Sequence, residues 1–229
     1  MQSTNVDEHT TAEIQSPHLR PTLGHPQFIL SPESSPAIPD SGYFASNFML
    51  GVGVLIIQPA TGKVVVVRDV REDGSVYWFF PKGRKDVGED FREAALREAY
   101  EESGYRVSLM PLFTPSKAPN PAKPVEDIWK QGLNTEPIYM SNYYWAPDAY
   151  NKQIPHIYLT LWYVAELAQD AVYHEGTGVE TEENFETHLM EYEEAILKVE
   201  APFKEVLRLG YKLWKEKVQR LAVEAEQSQ

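Results

Sequence analysis

GRKDVGEDFREAALREAYEESGY, residues 83–105, sets a glycine turn directly before a helix whose last turns carry three carboxylates, Glu98, Glu101 and Glu102. Phe91, Ala95 and Ala99 recur every four residues and predict a helix from about Glu89 to Ser103 with a thin apolar stripe. The two alanines let such a helix sit close to a sheet. Gly104 follows as a C-terminal stop, and Asp86 or Gly88 is placed to serve the N-terminus. Glu98 and Glu102 are four residues apart and Glu101 is three from Glu98, so all three acids converge near one patch at the helix end.

Acids at this spacing repel one another on a plain helix when no basic partner stands among them. The C-terminal end is also the unfavourable end for negative charge, because of the helix dipole. A solvated charged face leaves that conflict standing, whereas a bound divalent cation removes it. Mg²⁺ takes hard oxygen ligands, which suits glutamate and not cysteine or histidine, and Mn²⁺ accepts the same donors. A backbone carbonyl at Gly83 completes such a shell. A carboxylate not saturated by metal can act as general base toward water. Lys82, Arg84 and Lys85 surround the turn and suit phosphate oxygens. A plain solvated loop is the alternative for them, and it competes most closely at Arg84 and Lys85.

The charged and glycine positions run glycine, five residues, Glu89, seven residues, Arg97-Glu98, two residues, Glu101-Glu102, one residue, Gly104. This is the spacing of the Nudix box, and the chain resembles the Nudix hydrolases, which cleave diphosphate bonds with Mg²⁺ or Mn²⁺. The resemblance implies an α/β/α sandwich on a mixed sheet, an α+β arrangement with a long loop insertion and a C-terminal helix. It assigns Arg97 the ion pair that orients loop and helix, with Glu89 as partner. It places metal on Glu98 and Glu102 and makes Glu101 the base or a further ligand, with Glu98 the alternative base. Ala99 and Tyr105 depart from the aliphatic residues usual at those positions, which touches packing and no ligand.

Further motifs are similar to the diadenosine tetraphosphate hydrolase branch: Pro-Lys-Gly at 81–83, an aromatic strand ending Ala165-Glu166-Leu167, and a glutamate before Glu193-Glu194-Ala195. Glu183 matches that upstream glutamate, as a distal metal ligand or base. The tryptophan usual in that segment is Leu189 here. The resemblance covers about residues 48–220 and omits the N-terminal arm and the insertion.

Outward from the box, the chain of 229 residues fits one domain with long appendages, here residues 46–225. FMLGVGVLII (48–57) and KVVVVRDV (63–70) read as a hairpin across Pro59–Gly62, and VYWFF (76–80) as a third strand. RVSLMPLF (106–113) and HIYLTLWYVAEL (156–167) read as strands, His156 being structural. An acidic loop follows at 174–186. EYEEAILKV (191–199) and the segment from Ala201 read as helices, with Phe203, Val206, Leu207, Leu209, Leu213 and Trp214 forming an apolar face. Residues 1–45, rich in Ser and Pro, read as a flexible arm. Ser31-Pro32 and Ser35-Pro36 give it a regulatory alternative. Residues 114–154 read as a long functional loop. Its Lys117 and Lys123 are further phosphate candidates. Its Tyr139, Tyr143, Tyr144, Trp145 and Tyr150 either stack on a base or fix the loop to the core.

There are 34 acids against 21 bases, a net charge of −13, which argues against a nucleic-acid track or an anionic membrane surface as partner. Cysteine is absent, so neither disulfides nor thiolate ligands enter. No apolar run of membrane-spanning length and no secretory pattern is seen, so a cytoplasmic or nuclear protein is expected. The expected activity is metal-dependent hydrolysis of a diphosphate linkage in a polyphosphorylated small molecule, with a dinucleoside polyphosphate ahead of a diphosphoinositol polyphosphate. A non-catalytic binding module predicts missing acids in the box, and none is missing. RNA-cap removal fits poorly with the charge.

Overall fold

The computed structural model describes residues 42–71, 73–119, 132–145, 156–178 and 184–228. All of them fall in the unit Ile38–Gln229. Lys123, Tyr150 and Glu183 lie outside the described residues.

The sheet is built around β1 (Phe48–Gln58), whose apolar run is buried along most of its length. On one side β1 runs parallel to β7 (His156–Glu166), from Phe48 opposite Ile157 to Ile57 opposite Glu166. On its other side it pairs antiparallel with two strands in succession. Gly51–Gly53 meet β4 (Lys82–Arg84), and Ile57–Gln58 meet β2 (Lys63–Val70) across the expected turn. β2 in turn pairs with β3 (Val76–Phe79) and β8 (Glu186–Met190). β5 (Ser108–Leu109) and β6 (Tyr139–Trp145) both pair with β7.

Strand alternation divides the core into two layers. Val52, Val54 and Ile56 of β1 pack with Ala94, Ala95 and Ala99 of α1 (Phe91–Ser103). Leu55 and Ile57 point the other way, into a cluster with Ala195 of α2 (Tyr192–Lys198) and Phe203, Val206, Leu207 and Leu213 of α3 (Phe203–Gln227). Helices therefore cover both faces of a mixed sheet. Leu209 and Trp214 pack against the second cluster as partly buried neighbours. Among the described residues no helix is long and apolar enough to cross a membrane.

Four local expectations need correction. Residues 106–113 form only the two-residue β5, because β6 already takes the edge of β7 from His156 to Trp162. Met110 and Leu112 instead turn inward and are buried. The span 114–154 is not all loop, since β6 lies inside it. The acidic stretch runs into β8, and Phe185, just before that strand, packs edge-on against Phe79. Finally, α1 is capped by Asp90 and not by Asp86 or Gly88. The Asp90 side chain accepts the N–H groups of Arg92 and Glu93 at 2.7 and 2.9 Å, and Glu93 returns a bond to the Asp90 N–H. Asp90→Ala is expected to lower stability by about 1 kcal/mol, seen as a lower urea midpoint at constant m-value. A midpoint within error of the parent would show that Asp86 or Gly88 can replace the cap.

Candidate active site

The β1–β4 ladder sets Gly83 opposite Val52, on the face that α1 covers. A Cβ built on Gly83 would fall on the Glu98 carboxylate. Glycine is therefore a steric requirement of the site, and Glu98 is pressed against the strand. Glu98 and Glu102 are 7% and 8% exposed, on the same buried stripe as Ala95 and Ala99. Glu102 is tied to β4 as well, its Oε2 accepting the Lys82 N–H at 2.6 Å. Because side chains alternate along a strand, Lys82 and Arg84 leave β4 on the opposite face from the carboxylates. The Lys82 Nζ lies 5.4 Å from the Phe79 ring centre.

Arg97 organises the rest. Its Nε and one terminal nitrogen grip both oxygens of Glu89, at 2.8 and 2.9 Å. The other terminal nitrogen reaches Glu98 at 2.8 Å and Glu101 at 2.9 Å, and the Arg84 carbonyl accepts a further bond at 2.9 Å. Glu89 also accepts the Asp86 N–H at 3.0 Å, so loop and helix are tied at both ends. The hydrogen bond from Arg97 holds the Glu89 carboxyl below its ordinary range. Glu89, followed by Glu98 and Glu101, raises the guanidinium in return, so it is permanently charged. At the helix end, Gly104 adopts the left-handed conformation and donates to the Tyr100 carbonyl at 2.9 Å. Thr177 donates to the Glu101 carbonyl at 2.9 Å, and a cleft lined by Glu101, Glu102, Gly104, Thr177, Phe185 and Thr187 opens there.

Gly83, Arg97, Glu98, Glu101 and Glu102 are thus gathered at one place, with Lys82 and Arg84 beside them. Lys85 is bound to its own surroundings: its N–H donates to the Leu50 carbonyl at 3.1 Å and its Nζ to the Asp86 carbonyl at 2.9 Å. Lys117 is exposed on the segment after Phe113, the ring over which Arg220 of α3 stacks. Of the insertion aromatics, Tyr139 packs against the α3-side cluster, whereas Tyr143 and Tyr144 are exposed. Leu189 packs against the α1-side core.

Tyr158 was not foreseen. Its hydroxyl end overlies Gly51, where a Cβ would collide with it, and Gly51 is the ladder partner of Arg84. Burial, then the charges of Glu98 and Glu102 against the opposing pull of Arg84, push the phenol up to about 12. The signal was present in the glycines of FMLGVGVLII, since glycine inside a strand marks close approach of another group.

Among the described residues no three acidic, histidine or cysteine side chains are drawn together closely enough to hold a metal ion as they stand. The donor chemistry nevertheless fits a hard divalent cation. All candidate donors are oxygens, two of the carboxylates are buried on one stripe, and the cradle beside Gly83 is one that a Cβ would fill.

A stretch of 66 residues is 36% identical to an RNA pyrophosphohydrolase of Novosphingobium aromaticivorans, covering 29% of this chain and 40% of that protein. Another of 69 residues is 33% identical to the Mus musculus protein called nucleoside diphosphate-linked moiety X motif 6, covering 30% of this chain and 22% of that one. Both matches span well under two thirds of the relatives' length. A solved NUDIX hydrolase from Nitrosomonas europaea is 15% identical with a TM-score of 0.45, covering 72% of this chain and 88% of that one. The C. elegans Ap4A hydrolase in a binary complex is 18% identical with a TM-score of 0.39, covering 70% and 93%. The NUDIX domain model matches residues 47–209. That match takes in the Gly83 cradle, the Arg97 network and every strand of the sheet, and the chain belongs to the NUDIX family.

Proposed function

We propose that the protein is a divalent-metal-dependent pyrophosphohydrolase that cleaves a phosphoric anhydride in a polyphosphorylated small molecule, foremost a dinucleoside polyphosphate. The observation that carries this reading is the three-residue strand β4. One face presses Gly83 against the buried Glu98, while Lys82 and Arg84 leave on the other. Anionic donors for a cation and cationic donors for phosphate thus stand a residue apart, which suits a substrate of linked phosphates.

Hydrolases of this family generally use divalent metal ions. Mg²⁺, with Mn²⁺ as a substitute, is the expected ion, held by Glu98, Glu102, Glu101 and the Gly83 carbonyl, with Glu183 as a distal ligand. When bound, such an ion neutralises phosphate charge and lowers the pKa of a bound water. The protein's own groups do the remainder. Arg97 fixes Glu98 and Glu101 in place. Glu101 takes the proton of the attacking water, Glu98 being the alternative base. As the water oxygen bonds to phosphorus, the anhydride P–O bond breaks. Lys82 and Arg84 balance the charge of the departing phosphate, with Lys85, Lys117 and Lys123 as outer candidates. A net charge of −13 disfavours a long RNA as substrate. A cytoplasmic or nuclear location goes with this reading.

The test is Mg²⁺-dependent turnover of diadenosine polyphosphates and a diphosphoinositol polyphosphate side by side. Preference for the dinucleotide is expected. Preference for the inositol would transfer the specificity site to Lys82, Arg84 and Lys85. Turnover of neither, with Mg²⁺ or Mn²⁺, would overturn the substrate assignment.

A further inference from the structure

The face of the sheet turned away from α1 carries, beside Lys82 and Arg84, a tyrosine that the acidic site does not use. Tyr158 of β7 lies across β1 because Gly51 has no side chain. The ring's hydroxyl end therefore reaches the position where Gly51 pairs with Arg84 of β4. On β6, Tyr143 is the ladder partner of Tyr158 and so stands on the same face, exposed to solvent. Lys82 leaves β4 on this face too, above the Phe79 ring. The result is a shelf with two cations on one flank and exposed aromatic surface on the other, close to Glu98 and Glu102.

A tyrosine placed only for packing needs no hydroxyl, and phenylalanine would fill the space. Here the hydroxyl end overlies Gly51, at the position where that residue pairs with Arg84. It sits among charged groups of the site and not among the apolar residues of either core cluster. A phenolic hydroxyl at this shelf can donate to a ligand bound there.

We propose that Tyr158 is a substrate-binding residue that donates its phenolic hydrogen to a non-bridging phosphate oxygen neutralised by Arg84, and that Gly51 is required so that the ring can reach there. The assignment rests on the pyrophosphohydrolase reading, and it adds a specificity residue from β7 to a site otherwise built from β4 and α1. Donation to an anionic oxygen is stronger than a neutral hydrogen bond. It selects for a phosphate next to the scissile linkage, so substrates with longer phosphate chains gain more from it than substrates with one anhydride.

The experiment compares the full chain with Tyr158→Phe and Gly51→Ala in Mg²⁺-dependent hydrolysis of diadenosine tetraphosphate, with KM, kcat and Tm measured together. Tyr158→Phe removes one oxygen and keeps the ring, so Tm should be unchanged. Its kcat/KM should fall about ten- to a hundredfold, chiefly through KM. Gly51→Ala, which displaces the ring, should lose at least as much. An unchanged kcat/KM in Tyr158→Phe beside an active parent would overturn this proposal and leave the hydrolase reading standing. A lowered Tm with unaltered KM would make Tyr158 a packing residue and overturn it too. An inactive parent would overturn the underlying reading, and this assignment with it.

Discussion

Glu102→Gln is expected to lower Mg²⁺-dependent turnover about a thousandfold, a loss comparable to removing a principal charge-stabilising group from an active site, while Tm stays near that of the parent. Glu102 has two duties that this substitution separates. Structurally, its Oε2 anchors the Lys82 N–H at 2.6 Å and so holds β4 to α1. An amide of the same length still presents an oxygen acceptor, and the tie can persist. Electrostatically, Glu102 places a second negative charge on the buried stripe that carries Glu98, at the end of the helix where the dipole already disfavours it. That charge is a liability to the fold without a cation, so removing it should not destabilise. A neutral amide, however, is a far weaker partner for a hard divalent ion. Circular dichroism melts and steady-state kinetics on the same preparation decide the matter. Full activity in the variant would remove the acidic cluster from the mechanism. Parallel loss of Tm and activity would show that the Lys82 anchor, and not the charge, is what matters at this position.

The features legible in the sequence are those that spacing along one element determines. The placement of Glu98, Glu101 and Glu102 at one end of α1 follows from helical spacing alone, and the pairing of Arg97 with Glu89 was available from the family pattern. What the sequence conceals depends on which strand meets which. Residues 106–113 have a strand-like composition, yet only Ser108 and Leu109 find a partner, because the edge of β7 is shared with Tyr139–Trp145 from the insertion. That competition is decided between segments tens of residues apart. β8 is short, mostly half-buried and mixed in character, so its alternation is faint. Asp90 was hidden for a different reason: Asp86, Gly88 and Asp90 all offer cap chemistry close together, and only the bonds Asp90 makes with Arg92 and Glu93 select among them. Tyr158 enters the site through the parallel β1–β7 register and the gap at Gly51. The glycine was visible, but the residue that fills its space lies more than a hundred positions further on.

Arg97→Met should cost about 3 kcal/mol of stability, near the lower end for breaking a partly buried ion pair from one side, because the guanidinium is 28% exposed while its partners are less so at Glu89 and Glu98. The methionine fills the space of the stem and leaves Glu98 pressed against Gly83 without its counter-charge. The acid limb of the stability profile should change as well. Arg97 holds the Glu89 carboxyl below its ordinary value, so Glu89 contributes stability at pH values above the unfolded carboxylate pKa of about 4.3. That contribution is lost as the pH falls through the lowered folded value. Without Arg97 the main cause of the depression is gone, leaving the Asp86 N–H and the Lys85 charge, so this part of the acid-induced loss should be smaller in the variant. Urea titrations of parent and variant between about pH 3 and pH 6, in the presence of a chelator, measure both effects at once. Arg97→Lys separates charge from shape. An ammonium keeps the positive charge but cannot grip both oxygens of Glu89 while also bridging Glu98 and Glu101. It should recover part of the stability and little of the turnover. Full recovery of both by lysine would mean that charge balance, and not the planar fork that ties loop to helix, is what the site requires of residue 97.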